Sequence, residues 1–127
     1  RRGGGCAHHR VASACRATTS QPWPVALVQF QVSPEPQVNR QQVRHWLEQA
    51  MTEAGTPRTP KLLMLPEVWN SPYQAERFAE FAEPIPELGA DLRDGPSESL
   101  KLVADFAVSH RVSVIAGWVE CASSVAR

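Results

Sequence analysis

The sequence predicts an α/β fold, and three observations carry that prediction. Three short, predominantly apolar runs, at residues 25–30, 62–65 and 112–118, have the length and character of buried strands, and the second is unbroken. Two longer segments, from about residue 38 to 54 and from 97 to about 109, repeat their apolar residues at helical spacing. The resulting order is strand, helix, strand, helix, strand, the pattern of a sheet covered by helices.

Each element has its own local justification. The first run, Val25-Ala26-Leu27-Val28-Gln29-Phe30, ends before the break Ser33-Pro34-Glu35-Pro36. The first helix then places Val43, Trp46, Leu47, Ala50 and Met51 on one stripe, which is expected to be core packing. Gly55, Pro57 and Pro60 stop it. The second run, Leu62-Leu63-Met64-Leu65, runs directly into Pro66 and Glu67. Four consecutive apolar residues suit a strand buried on both faces, and Pro66 cannot donate to a sheet ladder, so the strand ends there. Glu67 is thereby delivered to the C-terminal end of a strand, where open α/β sheets place their ligands. A carboxylate at the rim of a dry core is a candidate general base. A solvated glutamate opening a loop is the structural alternative.

A long segment, from residue 68 to about 96, is expected to be a functional loop, because structureless connections of that length are uncommon in compact domains. It holds Asn70-Ser71-Pro72-Tyr73 and the turn-forming prolines Pro84 and Pro86. Trp69 and Tyr73 flank its start, either lining a pocket or anchoring the loop to the core. Pro96 and Ser97 suit a helix start, and Leu100, Val103, Ala104 and Ala107 share one face of the second helix. The third strand follows at Val112-Ser113-Val114-Ile115-Ala116-Gly117-Trp118. Trp118 is assigned to packing, and His45 on the first helix to the surface or an interhelical contact.

The bulk properties narrow the function classes. At 127 residues the chain has room for about one domain. Thirteen basic and thirteen acidic side chains cancel, which speaks against a nucleic-acid or anionic-membrane partner. No apolar run approaches the roughly 18 residues that span a bilayer. The cysteines Cys6, Cys15 and Cys121 are odd in number and follow no framework spacing, so a disulfide-stapled secreted domain is disfavoured and a reducing compartment fits better.

Residues 1–22 form a separate unit, with the globular pattern beginning at Trp23 and running to residue 127. This N-terminal extension carries Arg1, Arg2, Arg10 and Arg16 among Ser, Thr and Ala, and the first acid of the chain is Glu35. That composition is expected of a disordered extension, either an organelle transit peptide or a non-native tail, and the compartment it implies is cytoplasmic or mitochondrial. Cys6, His8, His9 and Cys15 do not match a zinc-ligand spacing, so no metal is expected.

Taken in register, Val25-Ala26-Leu27-Val28-Gln29-Phe30, Leu65-Pro66-Glu67 and Val114-Ile115-Ala116-Gly117 resemble the opening of a nitrilase-superfamily (carbon–nitrogen hydrolase) domain. The stretches Leu65-Pro66-Glu67-Val68-Trp69-Asn70-Ser71-Pro72-Tyr73 and Phe81-Ala82-Glu83-Pro84-Ile85-Pro86 are similar to the omega-amidase branch. The resemblance covers residues 24 to 120. It implies the N-terminal portion of a four-layer α-β-β-α sandwich. It also implies hydrolysis of small omega-monoamides of dicarboxylic or keto-dicarboxylic acids to acid plus ammonia, without a cofactor, by a cysteine nucleophile, a glutamate base and an oxyanion-stabilising lysine. Other branches of the superfamily, such as a deaminated-glutathione amidase or a carbamoylase, are neighbouring readings. Glu67 matches the general base, and Tyr73 is the candidate substrate contact. A homo-oligomer, dimer or larger, is implied for the complete protein.

The resemblance is partial. Lys61 precedes the second strand and Lys101 lies in the second helix, so neither stands where the family lysine does. Cys121 comes too early for the nucleophile and lacks the glycine-flanked elbow. The expectation is therefore a hydrolase fragment that is marginally folded, with an open sheet edge and an uncovered apolar face, and inactive on amides by itself. The alternative is a non-catalytic module that pairs with a full-length relative through its sheet edge.

Overall fold

The structure, a computed structural model, describes residues 23–53, 59–117 and 119–121. The expectations placed on residues 1–22, on Gly55 and Pro57, and on Trp118 lie outside the described residues. Strands β1 (Val25–Leu27), β2 (Leu62–Met64) and β3 (Ser113–Ile115) form one parallel sheet in the order β1-β2-β3. The register is Val25↔Leu62↔Ser113, Ala26↔Leu63↔Val114 and Leu27↔Met64↔Ile115. Parallel neighbours need long crossovers, and helices supply both of them. Helix α1 (Pro36–Glu53) joins β1 to β2. The second connection holds a single 3-10 turn at Ala75–Arg77, the one-turn helix α2 (Phe78–Phe81) and the longer helix α3 (Glu98–His110).

The core lies between the sheet and the two long helices. Val43 and Leu47 of α1 and Val103 and Phe106 of α3 pack with Val28, Leu63, Leu65, Trp69 and Val112, while Ala26 and Val114 press on the cluster from the flanking strands. Side chains alternate across a strand, so Ala26, Leu63 and Val114 turn to the helices together. Their neighbours turn to the opposite face, where Val25, Leu27 and Ile115 are exposed. This corrects the expectation that residues 62–65 are buried on both faces. Leu63 and Leu65 are buried, whereas Leu62 and Met64 are only half-buried, because among the described residues only one layer of helices covers the sheet.

Helix α3 begins where its sequence says it should, and α1 begins two residues before the expected start, taking in the last proline of the break. Pro36 opens α1, where a missing N–H costs nothing. The preceding break is pinned by Asn39, fully buried, whose Nδ2 donates to the Ser33 carbonyl at 2.8 Å and whose Oδ1 accepts from the Ser33 N–H at 2.7 Å. Ser97 caps α3, accepting from the Leu100 N–H at 3.0 Å. At its other end α3 stops on Arg111 in the left-handed conformation (φ 53°), a position more often given to glycine. Two side-chain assignments change. Trp46 of the expected α1 stripe is exposed and meets the His45 ring edge-on at 5.1 Å. Phe106, which the expected face of the second helix omitted, is buried, and the His110 ring stacks on it at 4.1 Å.

Candidate active site

The chain leaving β2, residues 66–71, lies at the C-terminal end of the parallel sheet, beside the chain leaving β3. The β2 chain continues pairing one step past the strand, through Leu65 N–H to Ile115 O at 2.9 Å, and then Pro66 ends the ladder. Glu67 follows and its side chain is exposed, not held at the rim of a dry core as expected. The reason lies one step further along the chain. Trp69, Asn70 and Ser71 are all buried, so the segment anchors itself by the residues after Glu67 and leaves the carboxylate outside.

The backbone of Glu67 is fixed more closely than its side chain. Gly117, just past β3, lies against it. A β-carbon built at Gly117 would overlap the Glu67 carbonyl oxygen and stand 3.2 Å from its carbon and 3.5 Å from its Cα. Backbone atoms cannot swing aside as a flexible side chain can, so glycine is required here for close approach. Gly117→Ala is expected to displace the Glu67 backbone and to destabilise the fold by about 1–3 kcal/mol, the usual range for overpacking. A urea midpoint equal to that of the wild type would show that the two segments are free to separate.

A second carboxylate, Glu83, organises the far side of the segment. It accepts from Asn70 Nδ2 at 3.0 Å, Ser97 Oγ at 2.6 Å and the Ser99 backbone N–H at 3.1 Å, and also from the Ser99 hydroxyl. Its own backbone is tied to the segment after β3. The Glu83 N–H donates to Val119 O at 3.0 Å, and the Cys121 N–H donates to Glu83 O at 3.1 Å. Burial works against ionisation of Glu83, but the donors from Ser97, Ser99 and Asn70 together outweigh it and hold its pKa below the usual glutamate value. The folded pKa is depressed, so Glu83 contributes stability above the unfolded value of about 4.5 and loses it as the pH falls from there through the folded value. Plotting urea midpoint against pH should show this acid limb in the wild type and a flatter one in Glu83→Gln; superimposable limbs would remove Glu83 from the account.

The remaining candidates from the sequence separate in space or in kind. Tyr73 is exposed and meets the Phe78 ring edge-on at 6.0 Å, on the same loop as Glu67 but outside the buried anchor. Trp69 is fully buried in the core cluster, which makes it an anchor of the loop. His45, Lys61 and Lys101 are exposed, and Cys121 is an exposed free thiol. Lys101 faces a surface groove between α1 and α3, with Arg40, Arg44 and Asp105, that does not include Glu67. Residue-by-residue reading missed the roles of Glu83, Gly117 and Ser99. The signal for Ser99 was available in Ser97-Glu98-Ser99, a run rich in helix-capping types. The other two depend on contacts distant in sequence.

Among the described residues no group of three or more His, Cys, Asp or Glu side chains could hold a metal ion, and no helix is long and apolar enough to cross a membrane. Chemically, the arrangement offers one exposed carboxylate on a firmly held backbone at the C-terminal edge of a parallel sheet.

Comparison with known proteins gives this geometry a context. Residues 24–125 match the carbon-nitrogen hydrolase family. Omega-amidase NIT3 of Saccharomyces cerevisiae is 34% identical over 101 residues, which cover 79% of this chain and 32% of the yeast protein. A chloroplastic omega-amidase of Arabidopsis thaliana is 28% identical over 93 residues, covering 73% of this chain and 22% of that protein. The chain thus spans about a third of the length of one relative and less than a quarter of the other. No solved structure matches the chain significantly. A small parallel sheet backed by helices is consistent with part of an α/β domain of this kind. With most of its length matched to that one family, the chain belongs to the carbon-nitrogen hydrolases.

Proposed function

We propose that this chain is part of an omega-amidase-like hydrolase that converts small omega-monoamides of dicarboxylic or keto-dicarboxylic acids to the acid and ammonia, with Glu67 as its general base. The observation that carries the reading is the position of Glu67: exposed on a backbone held by Gly117 and the buried Trp69-Asn70-Ser71, at the C-terminal end of β2. The two relatives, both omega-amidases, support an omega-amidase-like hydrolase. In this mechanism a cysteine thiol gives its proton to the Glu67 carboxylate and attacks the amide carbonyl. Glu67 passes the proton to the departing ammonia, then takes one from the water that cleaves the acyl-thioester and returns it to the departing thiolate. A lysine steadies the oxyanion. Lys61, Lys101 and Cys121 are not assigned to these roles, so the 127-residue chain alone is expected to release no ammonia. Tyr73 is the proposed substrate contact, no cofactor takes part, and the complete protein is a homo-oligomer. Residues 1–22 act as an organelle-targeting extension in this reading.

The test is ammonia release by the complete protein. Turnover of a small omega-monoamide, without turnover of carbamoylated amino acids or deaminated glutathione, supports the proposal. The reverse preference assigns the chain to another branch of the superfamily, and turnover by the 127-residue chain alone would refute the assignment of its lysines and cysteine.

One observation favours a second reading. The sheet face bearing Val25, Leu27 and Ile115 is exposed among the described residues, with β1 and β3 at its edges. A non-catalytic module that pairs with a full-length relative would use such an edge. Co-purification of the short chain with a longer homologue, and no turnover by the short chain, would favour it.

A further inference from the structure

We propose that Glu83 is a positioning residue for Glu67: its carboxylate ties Asn70, and with it the segment that carries Glu67, to the N-terminus of α3. This inference rests on the reading of Glu67 as the general base and extends it to a residue that never touches substrate.

Three pieces of chain meet at Glu83. The first is the Glu67 segment, through Asn70, which lies three residues after Glu67. Asn70 is buried, and its Oδ1 has no partner, so among the described residues the bond from Nδ2 to Glu83 is its only side-chain hydrogen bond. Remove the Glu83 acceptor and a buried amide is left with no partner at all, a state that native structures avoid. The second piece is the start of α3. Its unpaired N–H groups and positive dipole end favour an anion, and Glu83 supplies one from within the chain by accepting from the Ser99 N–H and from the hydroxyls of Ser97 and Ser99. The third is the segment after β3, bonded to the Glu83 backbone through Val119 and Cys121. Gly117 belongs to that same segment and sets the approach of the Glu67 backbone from the other side. Glu67 is therefore bracketed by contacts that both lead back to Glu83, one through Asn70 and one through Gly117, Val119 and Cys121.

A carboxylate with so many donors is either a fastener for α3 or the fixed point from which the Glu67 segment is hung, and the two predict different results. The experiment compares Glu83→Gln, Asn70→Ala and the double variant in the complete protein, with Arg40→Ala as control. Arg40 pairs with Glu98 at 2.8 Å on the same end of α3 and does not touch Glu83. The first readout is ¹⁹F NMR of fluorotryptophan-labelled protein, with the Trp69 resonance assigned by Trp69→Phe. Positioning predicts a broadened or split Trp69 resonance in Glu83→Gln and Asn70→Ala, with the Trp46 resonance on α1 unmoved. The second readout is kinetic. Each single variant is expected to lower kcat roughly 10- to 100-fold with KM within about twofold, the scale of a catalytic group shifted by about 1 Å. The double variant should fall no further than the more damaging of the two single variants, because both changes act on one link. Arg40→Ala should match the wild type in both readouts. Asn70→Ala carries the test alone if Glu83→Gln does not fold. An unchanged Trp69 resonance in the single variants, or kcat losses that multiply in the double variant, would overturn the proposal. If Glu67→Gln keeps full turnover, the general-base reading fails, and the Trp69 resonance still decides whether Glu83 holds the segment.

Discussion

Glu67→Gln in the complete protein is expected to lower amide turnover by about 10²- to 10⁴-fold, the usual contribution of a general base. The amide is nearly isosteric with the carboxylate but cannot accept a proton from a thiol or a water. The fold should be indifferent to the change. Glu67 is exposed, its backbone is set by Gly117, and among the described residues its side chain makes no hydrogen bond or ion pair, so stability should stay within about 0.5 kcal/mol. Catalysis and stability are thereby separated in one substitution. Substrate binding is separated too: a base that acts in the bond-making steps alters kcat, with KM little changed where chemistry is slow. The measurement is steady-state ammonia release together with a urea melt. Turnover close to that of the wild type would return Glu67 to the bland role of a solvated loop glutamate, and a large fall in stability would mean that it supports the fold rather than the chemistry.

The parts of the fold that could be read from the sequence are those with a period or a local stop signal. The helical stripe of α1 is legible through Val43, Leu47, Ala50 and Met51, because residues three and four apart share a face. Ser97 announces α3 by the capping chemistry of its hydroxyl, and Pro66 marks the end of β2 by its missing N–H. Where period and local signal fail, the sequence is silent. The 3-10 turn and α2, within residues 75–81, fall in the expected loop, since a single turn is too short to show a repeat. That turn is held instead by Arg77, which pairs with Glu80 at 2.9 Å and lies over the Phe81 ring at 5.0 Å. The unbroken apolar run of β2 signals two covered faces, but a strand's sequence cannot say which chain segment covers it, and only the helix side is covered among the described residues. The site divides in the same way. Glu67 is legible from its place after a strand. Its support is not, because Gly117 is 50 residues away in sequence and Glu83 meets α3 across a loop.

Trp69→Ala should cost about 3–5 kcal/mol, the range for emptying a buried aromatic site. Against the roughly 5–15 kcal/mol that holds a typical domain together, the loss is a large fraction of the whole, and at the low end of that range it would leave much of the protein unfolded. Trp69 is the largest fully buried side chain described, and it stands two residues beyond Glu67, so one ring both fills the core and sets the exit of the chain from β2. Trp69→Phe separates volume from polarity. The indole Nε1 is buried with no hydrogen-bond partner, so phenylalanine gives up volume but also removes an unpaired donor that costs free energy to bury. Its penalty should therefore be well below that of alanine, at about 1–2 kcal/mol. Urea midpoints of the two variants check the order. Kinetics of the folded fraction check the role: an anchor changes how much active protein there is, whereas a pocket wall changes KM in the protein that remains. If Trp69→Ala loses less than about 1.5 kcal/mol, well short of the usual cost of emptying such a site, and raises KM instead, the ring belongs to the substrate and not to the core, and the bracket that holds Glu67 would have to rest on Gly117 and Asn70 alone.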